Sequence, residues 1–279
     1  MSRTLRTKRS RAAAVTLALF ALVAALGPLV VGDAGLALDL ERDLAPPSLA
    51  NGGALLGRAE NGVDVLTALV WGARTSLVVS VAATFASAVV GALVGALAAT
   101  AGGKIEALVM RCLDVLLAFP GILLAVYLAA VLPPSRLTVI VALCATGWVG
   151  YARVARTSVR QVLAREHVVA ARALGASAAR VLWRHVLPLA LTPLVVQASF
   201  GLSTAVLAEA SLSFLGLGAP AGTPSWGALL DEGVAYLFVA PHLAIAPGVC
   251  IAVVVLAFNV LGDAARDALD PRGANVARA

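Results

Sequence analysis

"VVAARALGASAARVLWRHVLP", residues 168–188, carries Arg172, Arg180, Arg184 and His185, yet it lies between two long apolar runs. A segment this basic stays in water, so its meaning depends on what its neighbours are. Of the 279 residues, 61% are hydrophobic and 13% charged. An ordinary soluble domain carries about 25% charged residues, so the chain reads as an integral membrane protein.

An apolar run of about 20 residues, rising 1.5 Å per residue, crosses the roughly 30 Å of hydrocarbon in a bilayer. Six runs qualify, over 13–32, 76–101, 112–132, 137–152, 189–210 and 241–262, the fourth being short. A membrane barrel would show alternating segments of about ten residues instead. The predicted fold class is therefore all-α, with six transmembrane helices. The expected organisation is a basic cytoplasmic tail over 1–12, a first transmembrane helix over 13–32 and an extracytoplasmic segment over 33–75. A five-helix core over 76–262, containing a cytoplasmic loop at 153–188, and a cytoplasmic tail over 263–279 complete it.

Orientation follows from the basic residues. With the N-terminus in the cytoplasm, inside segments hold 17 Lys and Arg and outside segments only four, Arg42, Arg58, Arg74 and Arg136. That asymmetry is the positive-inside signature, so the formal charge of +6 reports topology rather than nucleic-acid binding. The first apolar run, about 19 residues long, exceeds the usual core of a cleaved signal and is read as an anchor.

Hydrolytic or metal chemistry has no visible home. Cys112, Cys144 and Cys250 fall singly within predicted spans, and His167, His185 and His242 are scattered without metal-ligand spacing. The nearest approach to a phosphate loop is "GALAATAGGKIE", 95–106, where Ala98 replaces the first Gly and Ile105 follows Lys104. Backbone amides and a hydroxyl at fixed spacing are what hold a nucleotide, so this stretch is read as a tight turn. Any ATP is used by another chain. Gly91 and Gly95 fall on one helical face and suit close helix packing, or are incidental in an Ala-rich chain. Asp114 stands one turn from Arg111, a pair that is cheap near the interface. Glu209 is either a functional intramembrane acid or an interfacial one.

In the loop over 153–188, Val168, Ala171 and Leu174 lie at helical spacing on one side. Gly175 suits a left-handed helix stop and Ser177 a new cap, with Pro188 opening the next apolar run. The expected shape is a helix, a glycine elbow and a helix, with little bulk at Ala170, Ala171, Gly175 and Ala176. Such a knob either fits a partner's groove or is a solvated hairpin. In the outer stretch 211–240, Trp226 is read as an anchor at the membrane surface and the whole as an interfacial segment or an ordinary loop.

The spacing of Val169, Ala170, Ala171, Gly175, Leu187 and Pro188 resembles the coupling-loop signature of ABC importer permeases: Glu-Ala-Ala, three residues, Gly, nine residues, Ile-x-Leu-Pro. Val169 stands in place of the signature Glu and His185 in place of the Ile. "LGRAENGVDVLTALVWGARTSL" (56–77), "RCLDVLLAFPGILLA", "EASLSFLGLG" with "PSWGALL", and "FNVLGDAARDALDPR" resemble the dipeptide, oligopeptide and nickel branch, and its second, C-type subunit. Arg58, Ala59 and Val63 depart from that branch's polar pattern.

The resemblance implies a type I ABC importer permease fold with cytoplasmic coupling helices, in a bacterial plasma (inner) membrane, with both termini in the cytoplasm. It implies a transport subunit rather than an enzyme, for dipeptides or oligopeptides, with nickel as the lesser option. Implied partners are a homologous second permease, two ATP-binding cassette subunits, an extracytoplasmic solute-binding protein and membrane lipid. ATP and magnesium would be held by the partners, leaving no cofactor on this chain. The implied ATPase-docking set is Val169, Ala170, Ala171, Gly175, Ala176, Ser177, Leu187 and Pro188. Neither substrate-binding nor metal-binding residues are assigned. A secondary carrier working without ATPases, or a degenerate permease serving as a scaffold, remain as alternatives.

Overall fold

A computed structural model describes residues 3–48, 54–220 and 222–269. Residues 1–2 and 270–279 of the expected tails lie outside the described residues. Among those described there is no β-strand, only an isolated antiparallel bridge between Arg58 and Asp64. Five helices are long and apolar enough to cross a membrane, and a bent pair makes a sixth crossing if it is one span.

Helix α1 (Arg3–Val31) leads into the segment expected to be extracytoplasmic, which forms short turns. There the Arg58 guanidinium donates to Gly62 O at 2.7 Å and lies 3.5 Å from the Asp39 carboxylate. Helix α2 (Val65–Ala101) starts where the Asp64 carboxylate accepts from the Thr67 N–H at 2.8 Å. Residues 65–75, assigned to the outer segment from sequence, are thus its first turns. Apolar run length locates hydrocarbon, whereas a helix begins wherever its orphan N–H groups are capped.

α2 reverses into α3 (Gly103–Ala118) at Gly102 and Gly103, with φ of 63° and 54° that favour residues without a Cβ. The phosphate-like stretch is therefore a turn. The apolar run 112–132, predicted as one span, divides into α3 and α4 (Gly121–Val131), bent by 78°. Pro120 has no N–H to continue the ladder and holds Phe119 extended at φ −89°, ψ 136°.

Helix α5 (Arg136–Leu163) continues eleven residues beyond its predicted apolar end at 152, and Arg153, Arg156 and Arg160 on this extension pair with acids of α3. After it come α6 (Glu166–Ala173), α7 (Ala178–Val181), one π turn over Leu182–Val186 and α8 (Leu187–Phe214). α8 keeps Pro193 in its interior without breaking. The chain closes with α9 (Trp226–Ala235) and α10 (His242–Leu269).

The tightest crossing joins α2 to α5. A Cβ at Gly91 would lie 2.4 Å from Trp148 O, and one at Gly95 2.2 Å from Ala152 O, so both glycines serve close backbone approach. On the other side of α2, Phe20, Leu69, Trp226 and Phe258 share a core built from α1, α2, α8, α9 and α10. Trp226 is 3% exposed, its Nε1–H donates to Leu69 O at 2.9 Å, and its ring stands 5.3 Å from that of Phe20. It is thus an interior residue and not the surface anchor expected from sequence: the indole N–H finds a backbone acceptor inside, and Gly72 leaves the ring room. Large apolar side chains such as Val78, Phe85, Leu93 and Leu97 remain exposed along α2, as lipid contact requires.

Candidate functional site

The basic stretch 168–188 folds as a knob. α6 stops in a Schellman arrangement: the Ala176 N–H donates to Ala171 O and the Gly175 N–H to Arg172 O, both at 3.0 Å, with Gly175 at φ 83°. Ser177 Oγ then accepts from the Arg180 N–H at 3.3 Å and starts α7.

The knob has two unlike faces. Val168, Val181 and Val186 are buried against Ala96 and Ala99 of α2, Val159 and Val162 of α5 and Ala190 of α8. Each buried Val contributes about 1.5–3 kcal/mol, enough to hold the knob to three spans. The opposite face presents Val169, Ala170, Gly175 and Ser177 to solvent, with Ala171 and Ala176 half-buried between them. A Cβ at Gly175 would meet nothing within 4 Å. Leu187, half-buried, and Pro188, exposed, are not part of this tip. They open α8 directly after the π turn. Leu174 departs from expectation: it is 89% exposed, because the helix ends at it and its side chain leaves the row set by Val168.

A buried acid that sequence reading did not single out fixes the spans beneath the knob. Glu106 of α3 is 6% exposed and receives Arg156 Nε together with Arg160 Nη1, the latter at 3.3 Å. Asp114 pairs with Arg153 of α5 and not with Arg111 as expected, since α3 lies along α5 with the three Arg turned toward it. The signal available in the sequence was Arg156 and Arg160, one turn apart on a face that also carries Arg153.

Glu209 resolves in favour of burial. It is 1% exposed, and Ser76 Oγ–H and Ser213 Oγ–H donate to its two oxygens at 2.7 and 2.8 Å, joining α2 to the outer end of α8. His167 and His185, scattered in sequence, come together across the knob with ring centroids 6.4 Å apart. Cys112 is exposed, and Cys144 and Cys250 are partly buried. Among the described residues no group of three or more His, Cys, Asp or Glu could hold a metal.

Residues 88–274 match the family described as binding-protein-dependent transport system inner membrane component. The chain belongs to this family. The matched region runs from the middle of α2 past the end of α10 and includes the knob. Among similar curated proteins, the dipeptide transport system permease protein of Alkalihalophilus pseudofirmus is 37% identical over 253 residues, covering 91% of this chain and 82% of its own. The di/tripeptide transport system permease protein of Pseudomonas aeruginosa is 40% identical over 237 residues, covering 84% and 78%. The oligopeptide transport system permease protein of Bacillus subtilis is 37% identical over 216 residues, covering 77% and 71%. In fold, this inner membrane component is similar to the MetNI methionine ABC transporter in its inward-facing conformation, with a TM-score of 0.61 at 22% identity over 74% of this chain and 98% of that one.

Proposed function

We propose that this inner membrane component is the permease subunit of an ATP-driven importer of short peptides, and that the tip around Gly175 is where an ATPase docks. The observation that carries the docking is the pair of unlike faces on the knob: one side is fixed by Val168, Val181 and Val186, and the other is open, with small residues at Ala170, Gly175 and Ser177 beside the exposed Leu174. A partner that shifts the tip therefore shifts α2, α5 and α8 with it. Such an arrangement couples two states only if the partner contacts them differently. The cargo is inferred from the peptide transport systems of the similar permeases.

On this reading ATP and magnesium act on two ATPase chains, and this chain holds no cofactor. A second, homologous permease completes the pathway, and a binding protein delivers peptide to the outer segments. The knob and both termini face the cytoplasm, in keeping with the 17 basic residues on that side. Val169, Ala170, Ala171, Gly175, Ala176 and Ser177 would meet the ATPase, while Leu187 and Pro188 set where the chain returns to the membrane.

The test is co-purification in mild detergent. Gly175→Trp is expected to lose the ATPase chains while the permease still inserts; Gly175→Ala controls for the strain of a side chain at positive φ and is expected to keep them. ATPase recovery with Gly175→Trp equal to that of the wild type would remove the elbow from the interface.

A further inference from the structure

A cavity of about 480 Å³ opens among α2, α4, α5 and α8, within the size range of small-ligand sites. Two hydroxyls of residues in its wall have no hydrogen-bond partner among the described residues: Thr84 Oγ1 of α2 and Tyr151 Oη of α5, residues 7% and 4% exposed. Leaving such a group unpaired costs about 1–3 kcal/mol, so the arrangement calls for something that pairs with it. Tyr151 reaches across to Gly201 of α8: a Cβ there would stand 1.9 Å from Tyr151 Oη, so the hydroxyl fits only because that position carries no side chain, and the methyl Cγ2 of Thr84 lies 3.5 Å from the same point.

The rest of the lining narrows what could enter. Gln197, Thr146, Thr204 and Ser211 add polar groups, the remainder is apolar or small, and none of the lining residues is charged. An ion would lose its hydration here without a countercharge. A metal cation would find no His, Cys, Met or carboxylate among the lining residues. A peptide bond, by contrast, brings one N–H and one C=O, and a hydroxyl both donates and accepts. Neutral contacts also suit a pathway, where cargo must be held well enough to enter and weakly enough to leave.

We propose that this cavity is a cargo-contact site that takes a backbone amide of a short peptide, with Tyr151 Oη and Thr84 Oγ1 as its hydrogen-bonding partners. The proposal rests on the peptide-importer reading and adds the part of the cargo that this chain recognises. Both hydroxyls lie at the wall, closed to water in this conformation. Cargo would reach them only in a conformation that opens this wall, so contact belongs to a step of the transport cycle.

The test uses the whole complex purified from its membrane and reconstituted in vesicles, with uptake of trialanine compared to trialanine methylated on its backbone amides. One binding protein serves every variant, so its own preference cancels in the comparison. Tyr151→Phe and Thr84→Val are each expected to lower kcat/KM for trialanine about threefold to tenfold, the worth of one hydrogen bond of about 1 kcal/mol. They are also expected to narrow the discrimination against the methylated peptide. Thr84→Ser, which keeps a hydroxyl, is expected to restore both. Wild-type discrimination and uptake in both hydroxyl-free variants would overturn this proposal and leave the importer reading standing. Absence of trialanine uptake by the wild type would overturn the peptide reading and this proposal with it. Lipid or detergent density filling the cavity during peptide turnover would overturn the proposal alone.

Discussion

Substituting Gly95 by Ala tests the α2–α5 crossing directly. The new Cβ would stand 2.2 Å from Ala152 O, 2.9 Å from Ala152 C and 2.8 Å from Ala155 Cβ. The obstacle is mostly backbone, which no rotamer change can relieve. Restoring ordinary contact near 3.4 Å requires the helices to separate by about 1 Å, and a gap of that size forfeits about a quarter to a half of each contact's dispersion energy. Overpacking of this kind costs about 1–3 kcal/mol. Ala is also a better helix former than Gly by about 1 kcal/mol, which hides part of the cost. Gly150→Ala supplies the reference: it gains the same propensity, while its Cβ would meet only Gln197 Nε2 at 3.7 Å. The difference between the two variants isolates the clash, about 1–3 kcal/mol in favour of Gly150→Ala. Denaturant titration in mild detergent, followed by tryptophan fluorescence with Trp148 beside the crossing, measures it. Equal midpoints for Gly95→Ala and Gly150→Ala would refute the reasoning.

Glu106→Ala is expected to lower the unfolding midpoint by about 1–2 kcal/mol, less than the 3–5 of a fully buried pair because Arg156 and Arg160 keep 31% and 57% of their exposure. Glu106→Gln, which retains an acceptor, should fall between it and the wild type in the same titration; a wild-type midpoint for the Ala variant would show that the clamp contributes nothing. At the outer segment, burial pushes the Glu232 carboxyl above the usual carboxylate range, opposed by the hydrogen bond it accepts from the Glu60 N–H and reinforced by the charges of Glu60, Asp43 and Asp231. A carboxyl raised on folding binds its proton more tightly in the native state, so its contribution is full at acid pH and is lost as pH rises from the unfolded value through the native one. Thermal scans from pH 4 to pH 8 should therefore show less loss of stability with rising pH in Glu232→Gln than in the wild type, and parallel profiles would contradict this.

What sequence made legible was whatever depends on near neighbours. Apolar run length located the spans, and Gly175 with Ser177 announced the elbow because a helix stop and a helix cap are chosen within one turn of chain. Pro120 carried the signal for the break between α3 and α4, yet the apolar run continues through it, and hydrophobicity does not register a change of direction. Glu106 meets Arg156 and Arg160 from 50 and 54 positions away in the chain, so nothing local marks it as buried. The same holds for Trp226, whose partner Leu69 O lies on another helix, and for Tyr151, whose hydroxyl lies against Gly201 of α8. A surface anchor and an interior tryptophan look alike in sequence, because both need one apolar side and one hydrogen-bond acceptor.

The uninterrupted helical run Ala179–Phe214, 36 residues, has a mechanical consequence. At 1.5 Å per residue it is about 54 Å long, well beyond the roughly 30 Å of hydrocarbon, so it acts as a lever arm. About the close contact at Gly201, the arm toward Ala179 measures about 33 Å and the arm toward Phe214 about 20 Å. A stroke applied at Ala179 then arrives at Phe214 reduced to about three fifths, with its force increased in inverse proportion. Position along this one helix would thus set the exchange of travel for force between the two sides of the membrane.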